Sequence, residues 1–538
     1  MLLGLKKQKI TQSNMILVIS AVFTCGYNII FFQEVLKIYS ITSHPYQIIS
    51  IFIILFATIN IFLNIVINKY TLKPVLVVLF IIASLASYTM SQFSVVVDIN
   101  MIDNILNTNI REARDYLNPM LFVYFFLFGI FPSILVIMIP IRHNSFKAEM
   151  LSKFKMVIGS LILVIVLLLS SSRFFASFLR EHKPLRFYSN PTYSIYSSGK
   201  YIGRLFRVKN TKLEIIGRDA VLPKNSLVDR ELVIVVIGES LRADHLSLNG
   251  YKKQTNPWLK NEDIISFMNM TACGTSTSIS VPCMFSKYRR KQFSEKKAKE
   301  TENLIDVLGF AGVNVLWRDN NSDSKGVAVR AAYEDFMNSN NNPVCDVECR
   351  DIGMLTGLHD YINSKKSGDI LIVLHQMGNH GPAYFRRYPS DFEKFKPTCK
   401  TNELTMCTNE EIINTYDNVV LYTDYFLSKV IGLLKDYSNS FETAMIYVSD
   451  HGESLGENGI YLHALPYFMA PKEQTNVAAV FWFGQRIQAE LDMHKLRKSA
   501  SRNFSHDHFF HTMLGLFEVT TSVYDKELDM LYGIKKKE

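Results

Sequence analysis

The chain has 538 residues, too many for one ordinary hydrophobic core, so at least two folding units are expected. Hydrophobic residues make up 48% of it, and the long apolar runs all precede about residue 180, which excludes a wholly soluble protein. The formal net charge of +9 would suit nucleic acid, but a basic domain anchored to a membrane and facing away from the cytoplasm meets anionic lipid instead.

Five runs come first: Asn14 to Leu36, Tyr46 to Ile67, Pro74 to Val97, Pro119 to Ile141 and Met156 to Phe178. Each is apolar and close to the roughly twenty residues that cross a bilayer, and their close succession leaves no polar face that water could solvate. The first is too long for a cleaved signal peptide and lacks a small-residue cleavage pattern, so it reads as a retained anchor. Lys6, Lys7 and Lys9 precede it, Lys69 and Lys73 follow the second run, and Arg142, Lys147, Lys153 and Lys155 follow the fourth. Tyr39 to Pro45 has no Lys or Arg, and the loop from Val97 to Asn118 balances its two arginines with acids. Positive loops stay in the cytoplasm, so the N-terminus is expected there and everything after Phe178 outside. This assigns residues 1–178 to a five-helix transmembrane domain.

Residues 179–230 are rich in Arg, Lys, Tyr and Phe, as in Arg180-Glu181-His182-Lys183-Pro184-Leu185-Arg186-Phe187-Tyr188, and read as a linker along the membrane surface. Residues 231–538 form the soluble domain. Glu231 to Ser240, Ile370 to His375 and Ala444 to His451 are continuous, largely β-branched apolar runs that end in polar residues, the mark of strands buried on both faces. Helical stretches such as Thr301 to Gly309 and Glu410 to Leu434 lie between them, which predicts an α/β fold with a mostly parallel central sheet. Its polar clusters fall at the carboxyl ends of strands, where open α/β sheets place their sites.

Six of the seven cysteines fall in the soluble part as the close pairs Cys273/Cys283, Cys345/Cys349 and Cys399/Cys407. An oxidising compartment and three local disulfides suit them, although spacing leaves the connectivity open. A structural metal site is the other use of clustered cysteines, but these spacings match no common zinc module. Cys25 stands alone in the first span.

Glu239, Asp450 and His451 close two of the strands, and two carboxylates with one imidazole are a suitable zinc set that leaves a fourth position open. Cys273-Gly274-Thr275-Ser276-Thr277-Ser278-Ile279-Ser280-Val281-Pro282-Cys283 is crowded with hydroxyls, any of which a metal could turn into a nucleophile. Thr275, Ser276, Thr277, Ser278 and Ser280 are equal candidates on these grounds.

Val236-Ile237-Gly238-Glu239-Ser240, Cys273-Gly274-Thr275-Ser276-Thr277, Asn379-His380-Gly381-Pro382 and Val448-Ser449-Asp450-His451-Gly452-Glu453-Ser454-Leu455-Gly456-Glu457-Asn458-Gly459 closely resemble the lipid A phosphoethanolamine transferases, the family behind polymyxin and colistin resistance. The resemblance spans essentially the whole chain. It implies an alkaline phosphatase/sulfatase-like soluble domain on the periplasmic side of a Gram-negative inner membrane. It further implies Thr277 as nucleophile and Glu239, Thr277, Asp450 and His451 as ligands of one Zn2+, with room for a second. His380 and His463 are implied as catalytic and substrate-phosphate residues, and Asn321 and Lys325 as acceptor contacts. Asn104, Thr108 and Glu112, at four-residue spacing, match positions that hold the donor head group. The implied donor is phosphatidylethanolamine and the implied acceptor a lipid A phosphate, handled by a monomer among membrane lipids. Cys345 and Cys349 stand closer than the family's pattern. Rival readings are transfer of phosphoethanolamine or phosphoglycerol to a core sugar or other glycan, and metal-dependent phosphohydrolysis. A sulfatase is disfavoured, because its Cys/Ser-x-Pro-x-Arg motif is replaced by Val281-Pro282-Cys283-Met284-Phe285.

Overall fold

In the computed structural model, which describes residues 9–107, 114–207, 213–222 and 230–536, the first apolar run is two helices, not one. α1 (Gln12–Gly26), capped by the Thr11 side chain, and α2 (Ile29–Ile38) meet at 53°. The break has a polar cause. Asn28 donates to the carbonyl of Asn190 at 2.6 Å and accepts its N–H at 2.9 Å, while the Asn190 amide reaches Ala83 O and Ser87 Oγ, both at 2.8 Å. The carbonyls at the bend find partners inside protein, Phe23 O from the Asn28 amide at 2.9 Å and Tyr27 O from the Asn190 amide at 3.4 Å, as an apolar surrounding requires.

α3 (Pro45–Val66), α4 (Leu72–Phe93), a helix from Pro119 to Met138 and another from Phe146 to Ser170 complete the apolar set. Among the described residues, four helices are long and apolar enough to cross a membrane, and five spans result if the bent pair counts as one. The last differs from its expected bounds: the helix begins ten residues before Met156 and ends at Ser170, where a second helix, Ser172–Glu181, takes over. None of its apolar window is buried, which is how a lipid-facing helix presents itself. The helix from Pro119 carries a π-turn at Phe126–Ile130. There a Cβ on Gly129 would stand 2.9 Å from Ser84 Oγ, so the glycine permits close approach to α4.

The chain divides into two compact units, Met1–Asp103 with Leu117–Arg207, and Asn104–Tyr116 with Val208–Glu538. The stretch expected as one linker is therefore shared: residues up to Arg207 group with the apolar helices, and Glu214 and Val221 bridge to Thr301 and Thr520 of the second unit.

The second unit is built on eight strands: β1 (Glu231–Gly238), β2 (Ile264–Thr271), β3 (Asn314–Asp319), β4 (Ala332–Asp335), β5 (Ile370–His375), β6 (Glu442–Ser449), β7 (Asn476–Phe483) and β8 (Asn503–Ser505). Their order is β8-β2-β7-β6-β1-β5-β3-β4, with β7 antiparallel to both neighbours and the other pairs parallel. β1 is buried along its whole length. Val233, Val235 and Ile237 pack with Met284, Phe285, Leu304 and Phe510 on one face, so Leu232, Ile234 and Val236, equally buried, face the other. This double burial is why the strand lacks polar alternation. The helix expected from Thr301 starts later, at Leu304, because Asn303 caps it, accepting from Ile305 N while Asp306 accepts from Asn303 N. The long helix Asn409–Asp436 starts at a Thr408/Glu411 capping box and packs on β6.

Disulfides join Cys273 to Cys283, Cys345 to Cys349 and Cys399 to Cys407, and Cys25 is free. The Cys345–Cys349 pair closes the tightest loop, with Cα atoms 3.9 Å apart.

Candidate active site

β1 and β6 lie side by side and in parallel, with Gly238 opposite Ser449. Their next residues, Glu239 and then Asp450 and His451, therefore emerge at the same sheet end. Two features hold the turn after β1. Ser240 takes a left-handed conformation, φ 58°, and Tyr416 donates to its carbonyl at 2.6 Å. Gly238 tolerates no side chain, since a Cβ would meet the Tyr447 hydroxyl at 2.1 Å.

Thr277 opens the helix Thr277–Met284, which the Cys273–Cys283 disulfide ties back to its own entry loop. Its hydroxyl donates to Glu239 Oε2 at 3.0 Å and lies 3.4 Å from His451 Nε2. That imidazole nitrogen is in turn 3.3 Å from both Glu239 Oε1 and Asp450 Oδ2. The other hydroxyls of the loop are turned elsewhere. Thr275 Oγ1 donates to Leu465 O at 2.6 Å, Ser280 Oγ accepts from Gly274 N, Ser276 and Ser278 lie 3.3 Å apart, and Ser278 donates to Asn104 Oδ1 at 2.6 Å. The geometry thus separates Thr277 from four neighbours that composition left equal.

These donor atoms fit a tetrahedral ion. Ligand bonds of about 2.0 Å place adjacent donors about 3.3 Å apart, the distance of His451 Nε2 from Glu239 Oε1 and Asp450 Oδ2 and close to its 3.4 Å from Thr277 Oγ1, and Glu239, His451 and His463 also bring ligand atoms within 4.8 Å of one another. Asp450 Oδ2 is buried and makes no hydrogen bond, whereas its other oxygen takes two backbone N–H groups, from Ser240 at 3.2 Å and His451 at 2.7 Å. His451 Nδ1 faces Gly452 O at 2.9 Å, which leaves the Nε2 lone pair to the cluster. Ser240 Oγ and Asn321 Nδ2 each donate to a Glu239 oxygen, at 2.7 and 2.9 Å. Electrostatics agree. Burial, and next the neighbouring Glu239, push the Asp450 carboxyl above its usual range. Burial also works against the charge on Glu239, but the imidazoles of His451, His380 and His463 hold it below its ordinary value. Two fully buried carboxylates that share one imidazole nitrogen call for a cation.

His463 lies beside the cluster, its ring centroid 4.3 Å from that of His451 and 5.8 Å from that of His380. Its Nδ1 meets Glu453 Oε2 at 2.7 Å, and the other Glu453 oxygen accepts from Tyr384. Burial alone would lower the His463 pKa, but Glu453 outweighs it and the net shift is upward. Lys325 is less engaged: its amine donates to Ser322 O at 2.9 Å and bonds to none of the cluster. Asn104 reaches the nucleophile loop through Ser278, while Thr108 and Glu112 lie outside the described residues.

Two groups escaped the sequence reading. Glu453 stood within a quoted motif without a role. His506 carried no signal, being one histidine after a short strand. It accepts from Cys273 N at 3.1 Å and donates to Ser449 O at 3.0 Å, so it clamps the nucleophile loop to the end of β6. Burial holds its pKa down to about 3, which keeps it neutral. His506→Phe should leave both backbone groups unsatisfied, on the order of 1–3 kcal/mol each. Thermal denaturation should show a lower midpoint and kinetics a lower kcat, with His506→Asn intermediate because it keeps the acceptor. Parental behaviour of His506→Phe would contradict the clamp.

Residues 231–519 match the sulfatase family model, and residues 55–205 the model described as phosphoethanolamine transferase EptA/EptB. The chain is 40% identical to phosphatidylethanolamine transferase Mcr-1 of Escherichia coli over 93% of its own length and 94% of the relative's. It is 36% identical to phosphoethanolamine transferase EptA of Escherichia coli K12, covering 95% and 94% respectively. The integral membrane lipooligosaccharide phosphoethanolamine transferase A of Neisseria meningitidis superposes with a TM-score of 0.94 at 32% identity, over 98% of this chain and all of that one.

Proposed function

As the chain belongs to the phosphoethanolamine transferase family, we propose that it moves phosphoethanolamine from phosphatidylethanolamine to a lipid A phosphate by way of Thr277. The carrying observation is the Thr277 hydroxyl, 3.0 Å from Glu239 and 3.4 Å from His451 in a buried, acid-rich pocket. Glu239, Thr277, Asp450 and His451 would hold one zinc ion. When bound, it would acidify the Thr277 hydroxyl and offset the charge of the phosphoryl oxygens.

Thr277 Oγ1 passes its proton toward Glu239 Oε2, to which it donates, and attacks phosphorus, and the bond from phosphorus to the glycerol oxygen breaks. The leaving alkoxide needs a proton, and His463, held by Glu453, is the nearest donor, with His380 beyond it. Diacylglycerol departs. An oxygen of the acceptor phosphate, already anionic, then attacks the same phosphorus, and the bond from phosphorus to Thr277 Oγ1 breaks, the released oxygen taking back its proton from the Glu239 side. Asn104, through Ser278, supports a donor-side role for its segment. Thr108 and Glu112 are proposed to extend that role, Glu112 by pairing with the ammonium. Asn321 and Lys325 are proposed as acceptor contacts.

The enzyme is proposed to work as a monomer in a Gram-negative inner membrane, N-terminus in the cytoplasm and catalytic unit in the periplasm. Adding an ammonium to an anionic glycolipid weakens its attraction for polycationic peptides such as polymyxin. Mass spectrometry of lipid A from a host lacking the activity tests this: expression of the chain should add one phosphoethanolamine to lipid A. Unmodified lipid A beside a modified core sugar would contradict the assigned acceptor.

A further inference from the structure

A cavity of about 470 Å3 opens in the second unit beside the catalytic residues. Its walls include Arg114, Arg386, Arg387, Met377 and the loop closed by the Cys345–Cys349 disulfide. That volume suits a small ligand.

Its charges fall into two sets. The buried set is internally matched: Arg387, with a side chain only 3% exposed, pairs with Asp115 and Glu348, while Arg350, buried behind the wall, pairs at 2.6 Å with Asp346, a half-exposed carboxylate of the rim. The rim is not matched. Arg386, 40% exposed, commits one nitrogen to Asp115 Oδ1 at 2.7 Å, and the exposed Arg114 makes no ion pair among the described residues. Against the one half-exposed carboxylate of the wall, Asp346, which Arg350 already pairs, Arg114 and Arg386 present two guanidinium forks of the kind that match phosphate oxygens. The rim is also tied to the catalytic site. Asp115 joins Arg386 to Arg387, whose Nε donates to the carbonyl of His380 at 2.8 Å, and Asn320 on the cavity wall precedes Asn321, which donates to Glu239.

An anion docked here is not the one that reacts. The donor has a single phosphate, and attack requires it at Thr277. The ligand is thus a second phosphate, such as a glycolipid phosphorylated on two sugar positions carries. We propose that this cavity docks the non-reacting phosphorylated sugar of the acceptor through Arg114 and Arg386, a proposal that rests on the lipid A acceptor of the preceding reading.

The test uses the full chain in detergent, phosphatidylethanolamine as donor, and bis- and monophosphorylated lipid A as acceptors. Arg114→Gln and Arg386→Gln should each raise KM for the bisphosphorylated acceptor about tenfold, the loss of one charge-assisted contact. They should leave kcat, the thermal midpoint and donor-only loading of Thr277 unchanged, because Asp115 keeps Arg387 as partner. The monophosphorylated acceptor should respond less. An unaltered KM would overturn the proposal, and slowed loading of Thr277 would do so by assigning the cavity to the donor. If even the parent fails to load Thr277, it is the preceding reading that fails. Direct titration with bisphosphorylated lipid A then decides the cavity: binding about tenfold weaker in both variants supports it, and equal binding overturns it.

Discussion

Thr277→Ala should lower phosphoethanolamine transfer by about four orders of magnitude or more, because the other hydroxyl on Glu239, that of Ser240, lies on the Nδ1 side of His451 and not at its Nε2. The distances carry this expectation. Only Thr277, among the five hydroxyl residues between Cys273 and Cys283, touches both Glu239 and His451. Thr277→Ser should keep part of the activity, since the hydroxyl survives and only a methyl is lost. Thr275→Ala removes the bond to Leu465 O and should cost about 0.5–1.5 kcal/mol of stability with a modest effect on rate. The alanine side chain at 277 fits without strain at the start of a helix, so the fold should persist. Equal activity losses in the two alanine variants, at equal thermal midpoints, would contradict the assignment.

Metal removal should have an effect of comparable size and leave a distinctive mark on stability. With a chelator, activity should fall to background and return on adding zinc. Without the ion, Glu239 and Asp450 stand fully buried with like charge, each 3.3 Å from the same imidazole nitrogen. Unfolding relieves that repulsion, so chelation should lower the thermal midpoint of the catalytic unit. Asp450→Asn separates the two contributions. It deletes one ligand charge, so transfer should drop about a thousandfold or more and bound zinc should fall from one per chain toward none. The same change removes a buried like charge, so the chelated variant should melt higher than the chelated parent. Metal analysis, kinetics and melting curves on the same preparations check all three. A chelated parent that keeps its activity and midpoint would contradict a metal centre at these residues.

Much of this organisation was legible because it follows from periodicity. Strands buried on both faces are apolar throughout, so β1, β5 and β6 stood out, and their polar ends marked where the chemistry collects. Membrane crossing is likewise written in length and hydropathy. What composition could not resolve was geometry. Thr275 and Thr277 are alike in residue type, and only the fold turns one toward Leu465 and the other toward Glu239. The break after Gly26 depends on Asn190, distant in sequence, supplying partners for Asn28. His506 acts through two backbone contacts that no motif announces. The cavity above the Cys345–Cys349 loop collects arginines from Arg114 and Arg386, which only tertiary structure brings together. Long-range polar contacts leave no local pattern, and they are where the sequence reading was incomplete.

The central claim is that Thr277 carries the transferred group, and intact-mass analysis addresses it most directly. Purified, zinc-loaded full chain is incubated with phosphatidylethanolamine and no acceptor, then digested and sequenced by tandem mass spectrometry. The mechanism predicts one phosphoethanolamine on Thr277, released when lipid A is added and absent from Thr277→Ala. Transfer to lipid A that proceeds at the parental rate with Thr277 unmodified throughout, or with the group on another residue, would contradict it.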